Sequence, residues 1–335
     1  MADLILTLTM AVWGSSFAVL RFFLLGAGGD PSLAASPLAV LAVRMAIASS
    51  LLGLFMLVRR KVLGKPELAA PGAMRTLLRD GALVGGLLAL GFLLQTEGLS
   101  RTSASRSGFF TGLLVVFVPV LEFLFFRKKP ALPALLALGL AFFGMALLAG
   151  PVVGAPGGST LLGDLLTVGC ALVFAGQIIA LGRAAPRNPI LPLTLIQLVM
   201  VGLAAALVGP LIEPTQLPRD PRLAAAIVYL AVFATLIAFL VQTWAQRVVS
   251  PVRMALLSAL EPVFAALFAA VLIHERLERR ELLGGGLIVA GVIVGELGAA
   301  LRTHQRGAQQ RRDDAAARVV AQDAQTSAQG GSPRS

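Results

Sequence analysis

Two ionisable residues stand inside long apolar runs: Glu261 within Ala259-Leu260-Glu261-Pro262-Val263, and Arg44 within Leu41-Ala42-Val43-Arg44-Met45. A charge among apolar neighbours is expensive inside a bilayer, so each is a candidate for binding or ion coupling. Pro262 removes a backbone donor and frees a carbonyl one turn earlier, which sets Glu261 beside a kink. An acid at a kink suits a proton or a small cation; pairing with a neighbouring helix is the competing role. Arg44 carries a planar fork that fits a carboxylate, either that of Glu261 or one brought by a ligand. Bracing two helices is its competing role.

Neutral polar residues in other apolar runs supply hydrogen-bonding capacity. They are Ser15, Ser16, Gln95, Thr111, Gln177, Gln197, Gln242, Thr243 and Ser258. A lipid-facing glutamine is costly, so these side chains must face protein or water, lining a cavity or bonding between helices. Trp13, Phe17, Phe109 and Trp244 are candidates for an aromatic wall, with Trp244 equally suited to a membrane-interface anchor. The chain has no metal-ligand spacing and no Gly-rich phosphate loop, so neither metal nor cofactor is expected. His274 and His304 are its only histidines, and no nucleophile, base and anion clamp converge, which disfavours an enzyme.

The elements that position these residues follow from composition. Mean hydropathy is +0.86, and 57% of the 335 residues are hydrophobic against 13% charged. A soluble domain has about a quarter of its residues charged, so most of this surface faces lipid. A spanning helix takes about 20 apolar residues, and ten such stretches run over 4–26, 37–58, 81–100, 105–126, 131–150, 160–182, 189–212, 222–245, 251–273 and 281–301. The predicted fold is an all-α polytopic membrane protein of ten transmembrane helices. At 1.5 Å per residue, Glu261 lies about 15 Å and Arg44 about 10 Å into their helices from opposite sides, close in depth.

The net charge of +11 is spread over short segments between apolar runs, which fits the positive-inside rule and not a nucleic-acid partner. With the N-terminus in the cytoplasm, eighteen Lys and Arg fall on cytoplasmic segments and six outside, Arg276, Arg279 and Arg280 among the latter. Both termini are therefore predicted to be cytoplasmic. The single Cys170 excludes an intramolecular disulfide. Residues 302–335, rich in Ala, Gln and Arg, read as a disordered cytoplasmic tail, with contact to anionic lipid as an alternative use.

A phrase recurs between halves. Leu113-Leu114 with Pro119-Val120 matches Leu256-Leu257 with Pro262-Val263, and Gly139-Leu140 with Gly144 matches Gly286-Leu287 with Gly291. Each pair falls in the fourth and fifth helix of its half. Five is odd, so the second half, 156–301, lies inverted relative to the first, 1–155. Inverted repeats set a substrate site near the midplane and let the halves rock. Gly81-x-x-x-Gly85 and Gly291-x-x-x-Gly295 allow close helix approach, and each fifth helix suits scaffold or dimer contacts.

The ordered set Trp13-Gly14-Ser15-Ser16-Phe17, Arg44, Gly98-Leu99, Thr102-Ser103-Ala104, Val115 to Pro119, Gly163-Asp164, Glu261 to Ala266 and Gly284 to Gly291 resembles the EamA-type branch of the drug/metabolite transporter superfamily. His274-Glu275 stands where that family usually has Gly-Glu. The resemblance covers about residues 4 to 301. It implies an inner-membrane secondary transporter that exports a small metabolite, an amino acid or related compound, or a drug, by alternating access. On this reading Trp13, Ser16, Phe17, Arg44, Gln95, Thr111, Gln177, Gln242, Ser258 and Glu261 line the substrate site, and Glu261 also serves the coupling ion. The expected partners are a small-molecule substrate, the bilayer and a possible second copy of the chain. A lipid flippase or scramblase is the alternative, and an integral membrane enzyme stands behind it.

Overall fold

The computed structural model describes residues 2–24, 34–64, 71–101, 104–149, 161–272, 278–298 and 301. No strand occurs among the described residues, and nearly all of them are helical. The order is α1 (Ala2–Leu24), α2 (Pro37–Leu63), α3 (Pro71–Arg101), α4 (Ala104–Gly112), α5 (Leu114–Phe126), α6 (Leu132–Ala149), α7 (Leu161–Ala184) and α8 (Ile190–Ile212). Then come α9 (Pro221–Tyr229), a π-helix (Leu230–Ile237), α10 (Ala238–Ala245), α11 (Pro251–Ser258), α12 (Leu260–Leu272) and α13 (Arg279–Gly298). Among the described residues eight helical spans are long and apolar enough to cross a membrane, and α6 is a shorter apolar helix. The expected tail and the His274-Glu275 pair lie outside the described residues.

The ends follow local chemistry. Proline at the first turn opens α2, α9 and α11, where its missing donor costs nothing. Asp220 caps α9 by accepting from Arg222 N, and the Arg222 guanidinium on the same carboxyl holds it below the usual carboxylate range. Gly64, at φ 61°, ends α2 and donates its N–H to Arg60 O.

Three differences from the sequence reading have physical causes. The third helix starts at Pro71, ten residues before the expected 81, because its first turns are amphipathic. Arg75, Thr76 and Arg79 are exposed there while Leu77 and Asp80 are buried, and an apolar window stops where those charges begin. The fourth and ninth helices are broken, at Leu113 and Ala259, upstream of Pro119 and Pro262. Proline leaves a carbonyl four residues earlier without its donor, which weakens the helix on that side. The eighth helix changes to π geometry over Leu230–Ile237, a form that collects at functional sites.

One apolar core joins α1, α5, α6, α11, α12 and α13 around Leu6, Met10, Val118, Met254, Leu257 and Ile288. A second joins α2, α3 and α8 around Met45, Leu52, Leu88 and Leu198. Trp13 packs against both and against a third, smaller cluster. The helices α6 and α13 cross closely. A Cβ on Gly144 would lie 2.6 Å from Gly284 O and 2.7 Å from the Ile288 side chain. One on Gly291 would lie 2.7 Å from Ala137 O and 3.1 Å from Ala141 N. In the register of the repeated phrase, Gly291 answers to Gly144, and Gly284 and Ile288 answer to Ala137 and Ala141. The two glycines thus make the same contacts with the partners exchanged. The small-residue face of each fifth helix is used within the chain.

Ion pairs gather at helix ends. Arg187 Nε and Nη2 donate to the buried Asp80 at 2.7 and 2.9 Å, and Asn188 Nδ2 donates to it at 2.7 Å. Arg247 donates to Ala185 O and Asn188 O. Arg253 joins Glu296 and Asp3, tying the starts of α11 and α1 to the end of α13. Elsewhere Ser36 Oγ bonds Pro214 O and receives Gln216 N, and Leu38 N donates to Glu213 Oε1. That places the start of α2 beside the end of α8.

Candidate functional site

The Trp13-Gly14 pair organises the middle of the bundle. Gly14 lies where α1 crosses α12: a Cβ there would stand 2.6 Å from Phe264 Cβ, 2.8 Å from Ala265 N and 2.9 Å from Glu261 O. Only glycine lets α1 lie against the Glu261–Ala265 backbone. Its neighbour Trp13 points the other way, donating Nε1–H to Ala234 O at 2.9 Å. Ala234 lies within the π-helix, so the indole ties α1 to the irregular stretch of the eighth helix. Ser15 Oγ adds a bond of 2.6 Å to Tyr229 OH, and Ser16 Oγ turns back to Trp13 O at 2.6 Å.

An aromatic wall runs from Trp13. Phe239 packs tilted on it at 5.7 Å between centroids, Phe92 meets Phe239 at 6.4 Å, and Phe174 meets Phe92 at 5.6 Å. Arg44 lies on this wall, its Cζ 5.6 Å from the Phe92 centroid. Its Nε is buried without a hydrogen-bond partner. No ion pair joins Arg44 to Glu261, and neither has a charged partner among the described residues. Glu261 is half-buried in the first turn of α12, where the helix dipole favours a negative charge. The site therefore offers an unpartnered cation and an unpartnered acid around a common aromatic and α1 framework.

The remaining expected residues fall into other settings. Gln177 Nε2 donates to Gln197 Oε1 at 3.4 Å, Gln197 Nε2 reaches Thr243 Oγ1 at 3.4 Å, and Thr194 Oγ1 meets Thr243 Oγ1 at 3.0 Å. This chain of bonds is buried between α7, α8 and α10. Gln242 is buried with Oε1 unbonded, and Thr111 Oγ1 is buried beside the Cys170 thiol. Ser258 Oγ donates to Met254 O at 3.0 Å inside its own helix. Gln95 is half-buried. The Phe17 side chain lies outside the described residues. Phe109 packs at a tilt against Phe110 and Phe142, and Trp244 packs on the first apolar core.

Phe92, Phe174 and Phe239 were not among the sequence candidates. In runs such as Leu90-Gly91-Phe92-Leu93 they read like any lipid-facing residue. Gly91 was the one available signal: a Cβ there would collide with the Phe174 ring.

Comparison with known proteins follows this geometry. The model of the EamA-like transporter family matches residues 1–150 and again 161–295. A protein of Archaeoglobus fulgidus described as an uncharacterized transporter is 28% identical over 293 residues, covering 88% of this chain and 85% of its own length. A second protein of that organism with the same description is 24% identical over 300 residues, covering 87% and 97%. A solved structure described only as a crystal structure of a protein superposes with a TM-score of 0.72 at 20% identity, covering 89% of this chain and 97% of its own. That last likeness concerns the fold.

Proposed function

We propose, on the premise that the chain belongs to the EamA-like transporter family, that it exports a small metabolite or drug by alternating access, with Arg44 receiving an anionic group of the substrate. The observation that carries this reading is the guanidinium of Arg44, inside an apolar helix, with a buried and unbonded Nε over the Phe92 ring. An unpaired cation in such a place is costly unless something arrives to pair with it. A planar fork selects carboxylates, and the Trp13–Phe239–Phe92 wall suits the apolar part of such a solute. Amino acids and related acids fit both. Glu261, unpaired across α1, is the natural carrier of the coupling proton or cation.

The wider proposal is ten crossings in two inverted halves, in an inner membrane, with both termini in the cytoplasm. The exchanged contacts of Gly144 and Gly291 support the inversion. Helix adjacencies support it too, since α1 against α12 is answered by α4 and α5 against α7. The ion pairs also agree: the starts of α1, α3 and α11 share an end with the finishes of α7 and α13 only if crossings alternate. A lateral groove between α5 and α6 is apolar except for Lys129, which gives a lipid headgroup no path across and supports a solute as cargo.

Counterflow in proteoliposomes tests the reading. Arg44→Lys keeps the charge and loses the fork, so uptake of carboxylate-bearing solutes should fall about tenfold while neutral and cationic solutes change little. Equal loss across the three classes would return Arg44 to a bracing role. Glu261→Gln should flatten the pH dependence of transport; an unchanged profile would remove Glu261 from coupling.

A further inference from the structure

The hairpin of α5 and α6 carries a feature that solute transport does not use. A groove of about 700 Å³ runs between the two helices, lined by Pro119, Phe123, Leu135, Gly139 and Phe142, with Lys129 lining it at the turn between α5 and α6. A Cβ built on Gly139 meets nothing within 4 Å. That glycine of the repeated phrase therefore serves no helix contact, and what it does is leave the groove open. Its α5 lining, from Val116 to Leu124, extends about 12 Å at the rise of a helix, most of one leaflet of a roughly 30 Å hydrocarbon core. Polar solutes find no partner along it.

The turn between α5 and α6 is cationic. Three consecutive cations, Arg127, Lys128 and Lys129, follow α5. Lys128 lies 3.5 Å from the buried Glu122 carboxylate and is neutralised by it. Arg127 and Lys129 are exposed and have no ion pair among the described residues. Arg127 adopts φ 55° at the helix end, a left-handed conformation that breaks α5 and turns the chain across the groove mouth. An apolar slot most of a leaflet long, with Lys129 in its lining and Arg127 two residues away, matches one molecule that is apolar along its length and anionic at one end.

We infer that this groove is a resident site for an anionic phospholipid, its acyl chain along Gly139 and its phosphate on Lys129 and Arg127. In the proposed topology the site belongs to the cytoplasmic leaflet, where basic segments and anionic lipids meet.

The test is native mass spectrometry of the full-length protein in mild detergent, titrated with palmitoyl-oleoyl phosphatidylglycerol or phosphatidylcholine. The wild type should hold one phosphatidylglycerol in preference to phosphatidylcholine. Lys129→Gln and Arg127→Gln should each weaken phosphatidylglycerol roughly fivefold and leave phosphatidylcholine unchanged. Gly139→Phe fills the groove from open space and should abolish tight binding of either lipid while melting no lower than Gly139→Ala. Gly139→Leu gives the same reading if the larger ring prevents purification. Wild-type lipid binding in a filled groove overturns the site, and unchanged selectivity without the two cations overturns the anionic headgroup. A wild-type dimer that filling converts to monomer overturns the lipid in favour of a second copy of the chain.

Discussion

Replacing Gly14 by alanine measures how closely α1 and α12 are pressed together. The added methyl would meet Phe264 Cβ at 2.6 Å, Ala265 N at 2.8 Å and Glu261 O at 2.9 Å. Two of these three atoms are backbone, so no rotamer change relieves the clash and the helices must part by roughly 1 Å to restore carbon contacts of about 3.5–4.0 Å. Overpacking of this kind costs about 1–3 kcal/mol. Alanine recovers about 1 kcal/mol of helix propensity, which leaves a net loss of about 0–2 kcal/mol. Gly53→Ala is the internal control: no atom lies within 4 Å of a Cβ at that position, so it collects the propensity gain alone. The two variants should therefore differ by the overpacking cost, about 1–3 kcal/mol, in unfolding by denaturing detergent. If Gly14→Ala unfolds together with Gly53→Ala, the crossing is looser than described, and the link between Trp13-Gly14 and the Glu261 segment fails with it.

Trp13→Phe keeps the ring against Phe239 and removes the donor to Ala234 O; it should cost about 1 kcal/mol in the same assay, and no loss would mean that the indole bond is not formed. Asp80→Asn leaves a partner for Asn188 and loses the charged fork from Arg187, whose side chain is 56% exposed; a loss of about 1–2 kcal/mol is expected, shrinking in high salt, and a salt-independent effect would argue against the ion pair. Reporter fusions after Lys61 and Arg247 should register as cytoplasmic and one after Gln216 as external; Gln216 on the cytoplasmic side would overturn the orientation.

Much of the scaffold was legible in the sequence because lipid leaves a one-dimensional record. A helix that must bury its backbone polarity in hydrocarbon needs a long apolar run, and such runs marked most helices to within a few residues. The record fails where the constraint is local geometry. The breaks at Leu113 and Ala259 and the π-helix at Leu230–Ile237 change hydrogen bonding without changing hydropathy. The first turns of α3 were missed because Arg75 and Arg79 project outward while Asp80 turns in to Arg187 and Asn188. For the site, Arg44 and Glu261 stood out because charge among apolar residues is conspicuous. Phe92 and Phe239 did not, because a phenylalanine that faces a guanidinium looks the same in sequence as one that faces lipid.

The bonded ion pairs and the unbonded buried groups of this fold are distributed differently. At the ends, Asp80, Arg187, Asn188, Arg253 and Glu296 are bonded to one another, and Ser36 is bonded to the loop after α8. Among the described residues, Asp3 Oδ1, Arg44 Nε, Thr111 Oγ1, Thr235 Oγ1, Gln242 Oε1 and Gln246 Oε1 are buried without a hydrogen-bond partner. In hydrocarbon each such group costs free energy that nothing around it returns. Asp3, Thr111 and Gln246 are scattered over other parts of the bundle, whereas Arg44, Thr235 and Gln242 sit on α2, the π-helix and α10, bordering Trp13 or the Phe239 wall. Three unbonded groups beside one aromatic wall give a polar solute entering there partners to bond. The proposed transport of an anionic solute would use them, whereas a purely bracing role for Arg44 leaves Thr235 and Gln242 without an account.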